Sequence, residues 1–411
     1  MSRTSDGLEP ADTGYGWVIV LLTLMVQAVT VGILIYSFAM FVVPWLHAFH
    51  SSRAELMLII FLLQISIGLI SPFCGQLLDR YSMRYLMTVG GCCVALGLCL
   101  VSLSTQLWQL ALIYATLFPV GMVLSGTLAS QTLISKWFHT NRGLAMGLSS
   151  MGTSMGGFVF PWVTSQLIAQ QGWQQASLAL AILSLLLIVP FSLWVLRRSP
   201  PRLSGTVTGE GSMVHKTLSS REILTGTRFW IPVLGLIPVN MAFGGVQFNL
   251  GAYMNDLGFE QSMAAALIAV TSVSMILGKL FFGSLGDRVD HRKLYWLMAV
   301  CLAVSLLSYV YGRSSHWLYI AAGFQGLATG GVMPMMGIMY SSRFGTQAFG
   351  KVLGLVNLFL MCGSLGSLLS GFIFDVTGSY SPAFLFFALL LIPASISMAW
   401  LPEPVMDKPK G

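Results

Sequence analysis

Charge is scarce in this 411-residue chain: only 9% of residues are Asp, Glu, Lys or Arg, against about 25% in an ordinary soluble domain. The few charges gather in short clusters that separate ten long charge-free blocks. A soluble fold has no use for such blocks. A bilayer core does, because each crossing helix needs about 20 apolar residues and must satisfy its backbone hydrogen bonds internally. Histidine and cysteine are also few, six of each. All six cysteines (Cys74, Cys92, Cys93, Cys99, Cys301, Cys362) fall within apolar blocks and read as small packing residues. The histidines stand in loops or at block ends without ligand spacing, so no disulfide framework, metal or cofactor is expected. No paired carboxylates, His set or Ser/His arrangement lies in the blocks, which argues against an intramembrane enzyme.

What is present is apolar: 55% of residues are hydrophobic. Two blocks, 85–135 and 143–196, are long enough for two spans each and have polar centres at 102–106 and 170–175. The expectation is an all-α membrane protein with twelve spans near 17–45, 56–78, 85–103, 108–135, 143–168, 174–196, 229–254, 261–286, 294–312, 317–342, 352–374 and 380–402. An even number puts both termini on one face. Of the 21 Lys and Arg residues, all but Arg53, Arg313 and Lys279 fall on that face, and the positive-inside rule makes it cytoplasmic. The net charge of +7 then reflects loop topology beside anionic lipid, and nucleic acid is not an expected partner. The first apolar run exceeds a signal-peptide core and no small-residue cleavage site follows, so the first span is expected to be retained. A bacterial inner membrane is the expected location.

The two halves repeat one pattern. Gly75-Gln-Leu-Leu-Asp79-Arg80 follows span two and Gly283-Ser-Leu-Gly-Asp287-Arg288 follows span eight, both Gly and Asp offset by 208 residues. Gly143 and Gly147 match Gly350 and Gly354 at an offset of 207. The expected organisation is a cytoplasmic segment at 1–16, a six-helix bundle at 17–197, a Ser-, Thr-, Gly- and Pro-rich cytoplasmic linker at 198–228, a second bundle at 229–402 and a tail at 403–411. Parallel six-helix repeats of this kind place a substrate cavity at their interface. The Gly-x-x-x-Asp-Arg loops resemble the signature of the major facilitator superfamily. That resemblance implies two pseudo-symmetric bundles, transport by alternating access in a monomer, and a gate or scaffold role for Gly75, Asp79, Arg80, Gly283, Asp287 and Arg288. In physical terms the Gly permits close helix contact, the Asp can cap a helix and the Arg holds the loop at the membrane face.

Two further segments narrow the resemblance. Asp12-Thr13-Gly14-Tyr15-Gly16-Trp17 resembles the Asp-Gly-Gly-x-Gly-Trp signature of the monocarboxylate transporter family, with Thr at the second position. Lys136-Trp137-Phe138, followed by Arg142-Gly143-Leu144-Ala145 and Gly147, is similar to the second signature of that family and of the oxalate:formate antiporter-like bacterial proteins. Trp17 and Trp137 read physically as interfacial anchors. Gly147, Gly152, Gly156 and Gly157 put small residues along span five, which suits close helix packing.

One cation lies inside a span. Lys279 stands eight residues before Asp287, about 12 Å from the end of span eight. A central cation costs roughly 2.5–3.5 kcal/mol on insertion scales and marks a functional site by default. About two turns separate it from the interface, which disfavours snorkelling. In the resembled families span eight carries a substrate-anchoring cation, usually Arg, four residues before a Gly; Lys279 stands four before Gly283. The resemblance implies that Lys279 pairs with a substrate carboxylate. Lys offers a point charge where Arg offers a planar fork, and 352–374 lacks the second cation of the dicarboxylate exchangers, so a monoanion is favoured. Met275 occupies the place where animal monocarboxylate transporters carry Asp, and no Asp or Glu lies deep in a span. Proton symport would therefore require Lys279 itself to release its proton.

Other polar residues able to line the cavity are Tyr36, Tyr114, Asn240, Gln247, Asn249, Tyr253, Gln325 and Asn357, although each could equally join helices. Asn249 takes the place where resembled proteins often have His, and Tyr36 lies in a Tyr-Ser-Phe segment that recurs in bacterial relatives. Asn249 and Tyr36 rank next after Lys279, followed by Tyr114, Asn357 and Gln325. The preferred reading is a secondary carrier of a lactate- or pyruvate-like monocarboxylate, with proton coupling left open. The alternatives are export of larger or amphipathic compounds and, from a different class, a transport-inactive sensor signalling through the linker.

Overall fold

The computed structural model describes residues 14–138, 142–197, 220–286, 288–312, 314–344 and 349–403. Among them it is helical throughout, without strands. Ten stretches are long and apolar enough to cross a membrane. One of these, Ala145–Val195, breaks at Gly172, whose φ of 82° is a left-handed conformation open to glycine. A further pair, Ser315–Gly330 and Val332–Phe344, continues one path across Gly331. Among the described residues the result is twelve membrane-length helices: α1 (14–49), α2 (53–80), α3 (83–102), α4 (107–137), α5 (142–171), α6 (173–195), α7 (227–256), α8 (261–286), α9 (291–311), α10 (315–344), α11 (349–377) and α12 (381–399).

Their ends carry the expected capping chemistry. His50, at φ 48°, closes α1 in the left-handed region, and Ser52 opens α2 through a capping box with Glu55. Asp290 accepts the Arg292 N–H at 2.8 Å to start α9. Several helices are less regular than their apolar runs imply. A π-turn at Gly32–Tyr36 interrupts α1, α7 breaks at Phe248–Asn249, and a 3-10 turn at Met361–Ser364 interrupts α11. Such breaks survive in hydrocarbon only where neighbouring protein covers them.

Burial runs outward-apolar and inward-polar. Leu69, Phe73, Trp162, Trp194, Leu280 and Phe372 are exposed, whereas Thr23, Gln27, Ser149, Ser154, Thr164 and Gln247 are buried. In lipid, apolar side chains gain nothing by clustering, so close backbone packing and hydrogen bonds hold the helices together. In the first bundle, α1–α6, a Cβ on Gly152 or Gly156 of α5 would overlap the Leu24 or Ala28 carbonyl of α1. Gln27 Nε2 also donates to Ser149 Oγ at 2.6 Å, and Ser149 Oγ to Thr23 Oγ1 at 2.9 Å. In the second bundle, α7–α12, Gly363 and Gly366 of α11 press in the same manner on Asn240 and Met241 of α7. The repeated α1–α5 and α7–α11 contacts express the repeat seen in sequence.

Candidate functional site

The bundles meet along α1, α2 and α5 on one side and α7, α8 and α11 on the other. Near the middle of this seam stands Lys279. Its Nζ donates to Ser150 O, Thr153 Oγ1 and Ser154 Oγ of α5, each at 3.2 Å. An ammonium has three donors, so three neutral oxygens satisfy it. No carboxylate among the described residues pairs with Lys279; the Arg53–Asp256 ion pair lies elsewhere.

One turn before Lys279, Met275 Sδ accepts a hydrogen bond from Tyr36 OH at 3.3 Å. The α1 π-turn sets this geometry: Ser37 donates both its N–H (2.9 Å) and its Oγ–H (3.0 Å) to Gly32 O. Such bulges recur at functional sites because they redirect a side chain without breaking the helix. Gly157 of α5 makes room beside it, since a Cβ there would strike the Tyr36 ring and Ser272 Oγ. Tyr36, Met275 and Lys279 thus form one seam against α5, where neutral oxygens meet the Lys279 ammonium.

A second constellation closes the seam at the face opposite the termini. Arg53 makes a bidentate pair with Asp256 (Nη1–Oδ2 2.6 Å, Nη2–Oδ1 2.5 Å). Its Nη1 also donates to Tyr380 OH at 2.8 Å, and its guanidinium lies 3.7 Å from the Phe374 ring centre. Asp375, at the end of α11, accepts the N–H groups of Arg53 (3.1 Å) and Ala54 (2.7 Å), capping α2 from the other bundle. Gln261 of α8 donates to Met40 O of α1 on the same side. Toward the termini, by contrast, Cβ positions on Gly147, Gly337 and Gly354 meet nothing within 4 Å.

The remaining sequence candidates divide. Asn249, fully buried, belongs to the far-face network: it donates to Gly245 O (3.0 Å) and Ser367 O (3.4 Å) and accepts from Tyr380 OH (3.2 Å). Tyr114 sits in an aromatic cluster with Phe38, Trp45 and Phe118. Gln325 Oε1 accepts from Tyr309 OH at 3.1 Å, which ties α10 to α9. Asn357 is exposed on α11. Among the substrate-binding candidates, Tyr36 joins Lys279 at the seam through its hydrogen bond to Met275, whereas Asn249, Tyr114 and Gln325 bond or pack elsewhere. Asp12 and Asp287 lie outside the described residues, as do the side chains of Asp79, Arg80 and Arg142 and the surroundings of Gly75 and Gly143. A Cβ on Gly283 would stand 3.8 Å from Pro334 of α10, and Arg288 is exposed.

The two signature segments, far apart in sequence, pack on each other. Tyr15 packs tilted against Trp137 (5.4 Å between ring centres), Trp17 meets Phe138 edge-on (5.3 Å), and Gly16 leaves space for the Phe138 ring. Trp137 is only 4% exposed, so it is an internal packing residue rather than an interfacial anchor, with the Tyr15 ring beside it. Ser150, Thr153 and Ser154 are site residues that sequence reasoning misses. Their i, i+3, i+4 spacing places them on one helix face, but the Gly pattern of the same segment already accounts for that helix as packing.

The Major Facilitator Superfamily model matches residues 20–278 and 241–411. The chain is 30% identical over 403 residues to monocarboxylate transporter 13 of Rattus norvegicus, covering 96% of this chain and 91% of that one. It is 24% identical over 409 residues to the uncharacterized MFS-type transporter YcxA of Bacillus subtilis (strain 168), covering 96% of both. In fold it is similar to a crystal structure of a bacterial homolog to the human lysosomal transporter Spinster, inward-facing and unoccupied, with a TM-score of 0.72 at 15% identity over 94% of this chain and 97% of that one. Two six-helix bundles meeting at a seam, together with a family match across nearly the whole sequence, lead to one conclusion: the chain is a multi-pass membrane transporter that belongs to the Major Facilitator Superfamily.

Proposed function

We propose that this transporter is a secondary carrier of a small organic monocarboxylate, lactate- or pyruvate-like, which it moves by alternating access at the seam between its bundles. The observation that supports this best is Lys279: a cation within α8 that, among the described residues, is held by neutral oxygens of the opposite bundle. A carboxylate entering the seam replaces neutral acceptors of the ammonium with an ion pair, whose Coulomb attraction is stronger in low-dielectric surroundings than in water. A single ammonium suits a monoanion, and the likeness to a monocarboxylate transporter agrees. In this reading Tyr36 and Met275 wall the anion, and the lipid bilayer and the substrate are the partners of a functional monomer. The termini, the 198–228 linker and the 403–411 tail are cytoplasmic, so closure at Arg53 leaves the seam open to the cytoplasm. Met275 supplies no proton acceptor, so any proton coupling runs through Lys279.

The test is uptake of labelled lactate and pyruvate into proteoliposomes, with and without an imposed pH gradient, by the intact protein, Lys279→Gln and Lys279→Arg. Saturable uptake that Lys279→Gln abolishes and Lys279→Arg partly keeps is the expected result. Acceleration by acid outside would establish proton coupling. If neither anion is carried under any gradient, or if Lys279→Gln transports normally, the monocarboxylate reading falls, and competition by larger amphipathic acids becomes the next measurement.

A further inference from the structure

The partners of Lys279 pose a problem that a substrate anion alone does not solve. A carrier must also return empty, and an ammonium left bare at mid-membrane costs roughly 2.5–3.5 kcal/mol. Here no carboxylate among the described residues serves it. Ser150 O, Thr153 Oγ1 and Ser154 Oγ lie at equal 3.2 Å distances, one acceptor for each ammonium proton. Thr153 Oγ1 donates its own proton to Ser150 O at 2.9 Å, so its lone pairs are free to face Lys279. Ser154 is fully buried, which leaves its hydroxyl without water to compete. All three oxygens belong to α5 of the first bundle, whereas Lys279 belongs to α8 of the second.

We infer that Thr153 and Ser154 are positioning residues that stand in for the substrate carboxylate in the empty carrier, holding the Lys279 ammonium across the seam until an anion displaces them. This rests on the reading of Lys279 as the anion site. Two consequences separate it from simple packing. The hydroxyls compete with substrate for the same three protons, so their removal tightens substrate binding. They also stabilise the charge during empty return, so their removal slows net transport more than exchange, in which the site crosses loaded both ways.

The experiment uses the full chain in proteoliposomes and detergent, comparing Thr153→Val/Ser154→Ala with the hydroxyl-keeping Thr153→Ser/Ser154→Thr. Three quantities are read: lactate affinity, the ratio of net uptake to exchange against internal lactate, and the rate at which an amine-reactive reagent labels Lys279 in substrate-free protein, by mass spectrometry. The hydroxyl-free variant should bind lactate about tenfold more tightly, given the strength of hydrogen bonds to charged groups. Its net uptake should fall several times more than its exchange, and Lys279 labelling should rise; the hydroxyl-keeping variant should restore all three. Unchanged labelling in the hydroxyl-free variant overturns the clasp whatever the flux does, as does a parallel fall of net uptake and exchange at unchanged affinity. Labelling that rises while the intact protein carries and binds no lactate upholds the clasp and overturns the monocarboxylate reading instead.

Discussion

Replacing Asp256 by Asn removes the carboxylate that pairs with Arg53 while leaving an oxygen of similar size in place. The two side chains are 11% and 28% exposed, so the pair lies between two measured regimes. Solvent-exposed pairs contribute about 0.2–1 kcal/mol, and breaking a buried pair costs about 3–5 kcal/mol. Arg53 is not stranded by the change, because Tyr380 OH still accepts from it and the Phe374 ring still faces it. Asp375 continues to cap α2. These residual partners set the loss near 2 kcal/mol, about a 30-fold shift of the closed-to-open ratio at this face. Spin labels at positions 105 and 260, on the α3–α4 and α7–α8 turns, report that ratio as a distance distribution. The wild type should show mainly the short distance, and Asp256→Asn and Arg53→Gln should each add a longer one. The charge-swapped pair should not rescue closure, because an Asp at 53 would lie beside the Asp375 carboxylate. Identical distributions in the wild type and both single variants would show that apolar packing, such as Gly251 against Ala39, closes this face without the ion pair.

Two other outcomes follow from the seam and the packing. Met275→Asp places a carboxylate one helical turn before Lys279, where it can occupy the ammonium. Ionised, it competes with substrate; protonated, it does not, so uptake should fall about tenfold near neutral pH and recover as the pH is lowered, the reverse of a simple loss of fold. Gly156→Ala drives a methyl into the Ala28 carbonyl and should cost about 1–3 kcal/mol, seen as a lower Tm in detergent. Gly147→Ala, on the same helix but facing open space, should hold or slightly raise the Tm because Ala favours helix by up to about 1 kcal/mol.

How much of this molecule was legible in its sequence depends on the range of the forces involved. Membrane helices satisfy their backbones locally, so charge-free length located the spans once polar centres divided the two longest blocks, and the centre at 170–175 located the α5–α6 turn that Gly172 makes. The expense of a cation in hydrocarbon is likewise local, which singled out Lys279 from composition and position. Irregularities inside spans were not legible: the π-turn of α1 and the Asn249 break of α7 are sustained by neighbours such as Met275, Ser367 and Tyr380.

Partners were decided by tertiary structure. Asp375 stands near the end of α11, and only the approach of α11 to α2 made it the cap of another helix 322 residues away in sequence. Arg53 read as one of the few cations on the far face, and only the meeting of α2, α7 and α12 gave it Asp256 and Tyr380. Asn249 ranked as a cavity residue, and only the meeting of α7 with α12 gave its amide the Tyr380 hydroxyl as a partner. The sequence by itself determined that helices cross, where they cross and which buried charge needs an answer, because a nonpolar solvent enforces those demands on each segment alone. Which hydroxyls answer Lys279 was decided by the depth and rotation at which α5 meets α8, a property of two segments that neither encodes separately.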